Sequence, residues 1–73
     1  MTMYYQTWGD VRPGDVVRHM SHTGTINGAA SFGIKQVYNN HFDAERVLVV
    51  FNSGAMSERQ KNSGRLLICR SVN

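Results

Sequence analysis

Three histidines, one cysteine and six serines are the side chains through which this chain could do chemistry. His19 and His22 stand three apart, and His41 adds a third imidazole. A zinc site takes four ligands from Cys, His or carboxylate, so the fold would have to bring a fourth from Cys69 or Asp43. No Cys-x-x-Cys and no His-x-x-x-His pair anchors such a set. The histidines therefore read as loop or surface residues, and no metal is expected. Nucleophilic catalysis needs an activated hydroxyl or thiol with a base and an orienting group. None of Ser21, Ser31, Ser53, Ser57, Ser63 and Ser71 lies in a nucleophile-elbow context, and spacing alone pairs no His with an Asp. Gly24, Gly28 and Gly33 invite comparison with a phosphate loop, yet no Gly-Lys-Ser/Thr follows and no helix start is in view, so turn geometry accounts for them. A protein that is not an enzyme and carries no cofactor is expected.

Cys69 closes the apolar run Leu66-Leu67-Ile68-Cys69 and has no second cysteine to pair with. An intramolecular disulfide is ruled out, and a reducing compartment fits. The residue reads as a small core or near-core side chain, since a reactive thiolate needs a nearby base or helix start and the sequence offers Arg70 alone.

Recognition is better served. Tyr4, Tyr5 and Trp8 lie near the start, and Tyr38 and Phe42 near the middle. Such side chains bury large area while Tyr and Trp keep a polar tip, so beside an arginine they can stack bases or anchor a protein partner. Trp8 has a competing use as a plug for the open end of a small core. The formal net charge is +3, and its placement matters more than its size. Residues 1–54 balance Arg12, Arg18, Lys35 and Arg46 against Asp10, Asp15, Asp43 and Glu45, whereas residues 55–73 set Arg59, Lys61, Arg65 and Arg70 against Glu58 alone. Positive charge clustered in the last quarter suits phosphates or an acidic protein surface, or serves solubility.

With 73 residues the chain makes one domain with one modest core. A chain of this size leaves roughly 40% of its unfolded surface exposed, which leaves little room for a deep catalytic cavity. Short apolar runs separated by Gly, Asn, Ser and Asp predict an all-β fold. Pro13-Gly14 predicts a type II turn leading into a strand over residues 15–20. Residues 34–38 alternate as a second strand, and Asn39-Asn40-His41 reads as a turn. Arg46-Val47-Leu48-Val49-Val50-Phe51-Asn52 is the strongest strand signal and the expected central strand, with Val47, Val49 and Phe51 on one face and Leu48 and Val50 on the other. A short strand is allowed at Gly24-Thr25-Ile26. Residues 55–63 read as one helical turn or a long hairpin loop, and residues 65–70, bracketed by arginines, as a last strand at a sheet edge.

The order of these features resembles the SH3-like small barrels, especially KOW and Tudor-like modules. The residues that carry the likeness are Gly14-Asp15-Val16-Val17-Arg18, Gly24-Thr25-Ile26, Val47-Leu48-Val49-Val50-Phe51, Ser53-Gly54 and Leu66-Leu67-Ile68. It implies a small antiparallel sheet curled into an open barrel over residues 13–70, with residues 1–12 as an N-terminal extension. In size, basicity and the Gly14-Asp15-Val16-Val17-Arg18 opening the chain is also similar to the small regulators that bacteriophages direct at host RNA polymerase. That likeness implies binding to a polymerase subunit with effects on initiation or termination, and a monomer is expected. The alternative is a KOW-like module that binds RNA or DNA directly.

The residues expected to meet a partner are the aromatics Tyr5, Trp8 and Phe42 and the basic residues Arg18, Arg59, Lys61 and Arg65. No stretch approaches the ~20 apolar residues of a membrane span and the first residues lack a basic start, so a soluble cytoplasmic protein is expected.

Overall fold

At Pro13-Gly14 the turn forms as its residue types dictate: Asp15 N–H donates to the Arg12 carbonyl at 3.1 Å, and Gly14 takes the positive φ of 90° that the second central position requires. The chain then enters a sheet. The computed structural model describes residues 2–20 and 31–71, with residues 2–5 described by their backbone. Its strands are β1 (Thr2–Gln6), β2 (Val16–His19), β3 (Phe32–Asn39), β4 (Arg46–Phe51), β5 (Met56–Gln60) and β6 (Leu66–Arg70), with a 3-10 turn over Trp8–Asp10. All neighbours are antiparallel, in the order β1-β6-β2-β3-β4-β5, which leaves β1 and β5 as the edges of an open sheet. The expected all-β, antiparallel architecture is the one the chain adopts.

Alternation builds the inner face. Val47 and Val49 are buried, with Phe51 packed against the core, while Leu48 and Val50 on the opposite face are half-buried. Val17 from β2, Ile34 from β3, and Leu66 and Ile68 from β6 complete the cluster with Trp8 and Val11. Each such side chain contributes about 1.5–3 kcal/mol on full burial. The sheet curls around this core. On a flat sheet β1 and β5 would lie five strand spacings apart, roughly 24 Å. Yet Gly9, three residues past β1, donates its N–H to the carbonyl of Lys61, the residue after β5, at 2.9 Å, and Trp8 N–H reaches the Ser63 carbonyl at 3.0 Å.

Five expectations need correction. β4 is not the central strand: it lies next to the edge strand β5, and β2 and β3 hold the middle of the order. Residues 1–12 are not an extension: β1 pairs with β6 from Thr2↔Arg70 to Gln6↔Leu66, and Trp8 and Val11 are core residues. β6 is not an edge, because β1 flanks it on one side and β2 on the other. Residues 55–63 form neither a helical turn nor a long loop: a tight turn, in which Gly54 N–H donates to the Phe51 carbonyl at 2.9 Å, leads straight into β5. β3 begins at Phe32, two residues earlier than read. The proposed strand at Gly24-Thr25-Ile26 lies outside the described residues.

Candidate recognition site at the open end of the core

The period of two that buries Val17, Ile34 and Val49 also fixes what stands beside them on the same face. Two residues along each strand come His19, Phe32 and Phe51. Register brings their strand ends together, since Val17 lies opposite Phe32, and Ile34 opposite Phe51. Among the described residues, the core thus ends in rings at this side.

Those rings touch in a cycle with Trp8. Centroid separations are 5.9 Å for Trp8 and His19, 6.0 Å for His19 and Phe32, 5.8 Å for Phe32 and Phe51, and 6.3 Å for Phe51 and Trp8. Three of the four pairs meet edge to face, the arrangement ring quadrupoles favour, and each pair adds about 0.5–1.5 kcal/mol beyond its buried area. Trp8 is the floor, only 2% exposed. Its placement depends on Gly64, whose φ of 93° favours glycine and whose missing Cβ would stand 2.7 Å from Trp8 Cδ1. His19 and Phe51 are half-buried, and Phe32 is 39% exposed. From β5 the Arg59 guanidinium carbon lies 5.3 Å from the centre of a Trp8 ring, a cation–π contact. Ser53 and Ala55 of the β4–β5 turn complete an open cleft of about 220 Å³.

A second polar feature is structural. Asp15, 1% exposed, accepts hydrogen bonds from Arg70 Nε on Oδ1 and from Arg70 Nη2 on Oδ2, each at 2.8 Å. Arg12 N–H also donates to Oδ2 at 2.8 Å, and Arg70 Nη2 reaches the Asp10 carbonyl at 2.9 Å. This forked, charge-assisted pairing ties the turn before β2 to the end of β6.

The residues singled out in the sequence do not form one surface. Trp8 is buried, so it supports a site from below and is not itself a protruding anchor. Arg59 joins it in the cleft. Arg18 alternates with Val17 and His19 and therefore points to the opposite face, where it lines a shallow groove with Val16 and Leu67. Phe42 is fully exposed on the β3–β4 connection, away from the cleft lining. Tyr5 stands opposite Leu67 in β1. Lys61 is half-buried after β5, and Arg65 is exposed before β6. Sequence reasoning missed His19, Phe32 and Phe51 as site residues. The signal available was an aromatic ring two positions from a core aliphatic on three strands.

No three of the described His, Cys, Asp and Glu side chains gather closely enough to hold an ion, and His22 lies outside the described residues. Cys69 is half-buried. No described helix is long and apolar enough to cross a membrane. No family model matches the chain, and neither does any curated protein or solved structure.

Proposed function

We propose that this protein is a non-enzymatic transcription regulator that binds bacterial RNA polymerase and alters initiation or termination. The observation that carries the binding part is the end of the core where, among the described residues, Phe32, His19 and Phe51 remain partly accessible over buried Trp8, with Arg59 at the rim. Aromatic groups and arginine around a desolvated centre are the make-up of protein hot spots. The basic residues support a protein partner over a phosphate track. Arg46 is held by Glu58 at 2.6 Å and Arg70 by buried Asp15, while Arg18 and Arg59 lie on opposite faces of the sheet. The step from a protein partner to polymerase rests on the likeness to small phage regulators carried by Gly14-Asp15-Val16-Val17-Arg18. Direct nucleic-acid binding is the second reading, favoured by the sequence proximity of Arg59, Lys61 and Arg65.

Affinity capture from a bacterial lysate, with and without nuclease, tests the proposal. Polymerase subunits identified by mass spectrometry should be retained after nuclease treatment. Their loss on digestion would favour the nucleic-acid reading.

A further inference from the structure

We infer that the cleft formed by Trp8, His19, Phe32, Phe51 and Arg59 is the docking site for an acidic peptide segment of a protein partner, one that inserts a single large apolar side chain beside a carboxylate. This deepens the reading of a protein-binding module and rests on it.

Size sets the first limit. At about 220 Å³ the cleft falls below the roughly 300–1,000 Å³ of sites that enclose drug-sized ligands, so it suits one side chain of a longer segment. Its walls are rings in edge-to-face contact, which offer an apolar surface to an aliphatic or aromatic group.

Charge sets the second. Among the described residues no acidic side chain lines the cleft and Arg59 makes no ion pair. Its neighbour Glu58 alternates to the other face of β5 and is held by Arg46 at 2.6 Å. The guanidinium is thus kept beside an apolar surface with its hydrogen-bond donors available for a carboxylate, the geometry arginine recognises best. A cationic ligand is disfavoured, because Arg59 already stands over Trp8 and would repel it. The chain's net charge of +3 steers in the same direction.

The experiment uses the full chain and three acetylated, amidated pentapeptides: Asp-Glu-Phe-Asp-Glu, its basic counterpart Lys-Arg-Phe-Lys-Arg, and Asp-Glu-Gly-Asp-Glu. Trp8, the one tryptophan of the chain, reports by fluorescence, and amide and ring chemical shifts map the site. The acidic phenylalanine peptide should bind and shift Trp8, His19, Phe32, Phe51 and Arg59, while the other two should not. Phe32→Ala and Arg59→Glu should each weaken it about tenfold or more, as hot-spot truncation does, and exposed Lys35→Glu should leave it within about twofold. Arg59 is exposed, so its variant keeps the test open if Phe32→Ala fails to fold. Equal binding of all three peptides, or shifts elsewhere, would overturn the inference. So would contacts of residues 21–30 or of a second copy with the rings that the peptide fails to displace. Polymerase titrated with the same variants separates the two proposals. Unchanged polymerase affinity in both variants sinks the cleft and leaves the polymerase reading standing, whereas peptide binding without polymerase binding does the reverse.

Discussion

Arg70→Met removes the charged head that neutralises buried Asp15 while keeping an unbranched apolar stem to fill the space. Asp15 is 1% exposed and would be left with the single Arg12 N–H in place of three charge-assisted and backbone donors. Removing one partner of a buried pair costs about 3–5 kcal/mol. The Arg70 side chain is 22% exposed, so some water can enter the vacated site, and we expect the lower end, about 3 kcal/mol. At about 0.05–0.15 kcal/mol per residue, a 73-residue chain has about 4–11 kcal/mol to lose.

The reverse change should be milder. Asp15→Asn keeps an oxygen for Arg12 N–H and leaves the guanidinium its hydrogen bond to the Asp10 carbonyl and access to solvent, so the cost should be about 1–3 kcal/mol. The double variant should be less destabilised than the sum of the two, with a coupling of about 1–3 kcal/mol. Urea unfolding gives the readout, as a fall in the transition midpoint at unchanged slope. A loss under about 0.5 kcal/mol for Arg70→Met, or strict additivity in the double variant, would refute the claim that this pair ties β6 to the turn before β2.

Three further variants separate backbone strain from packing and buried from exposed charge. Gly64→Ala forces a Cβ to 2.7 Å from Trp8 Cδ1 at a φ of 93°, and should cost about 2–4 kcal/mol and change tryptophan fluorescence. Gly14→Ala meets open space at a φ of 90°, so it should cost about 1 kcal/mol with fluorescence unchanged; equal costs at the two glycines would remove Trp8 as the cause. Glu58→Gln breaks an ion pair whose side chains are 34% and 46% exposed, and should shift stability by less than about 1 kcal/mol in the same urea assay. A larger loss would mean that β5 depends on that pair.

What the sequence could show was local. The Pro13-Gly14 turn and the β-branched run of β4 declare themselves, because each is set by neighbouring residues. β5 did not, since Met56-Ser57-Glu58-Arg59-Gln60 is rich in good helix formers, and the turn at Gly54 together with pairing to β4 overrides that preference. β1 was hidden for a different reason: its partner β6 lies at the far end of the chain, and no local period marks Thr2–Gln6. The same distance concealed the Asp15–Arg70 pair, 55 residues apart. The cleft was half legible. Trp8 and Arg59 stood out by type, whereas Phe32 and His19 become partners only when register sets β2 beside β3.

The proposed ligand is a protein, RNA polymerase, and not a nucleic acid. The most direct test is a titration of the folded protein against purified polymerase and, separately, against duplex DNA and single-stranded RNA, at about 50 and 200 mM salt. Polymerase should bind at both concentrations, and isolated nucleic acid feebly at the higher one. A ligand that neutralised phosphates through Arg59, Lys61 and Arg65 would lose affinity steeply over that range, because each contact releases counterions. Tight nucleic-acid binding without polymerase, with a steep salt slope flattened by Arg59→Ala, Lys61→Ala and Arg65→Ala together, would contradict the account.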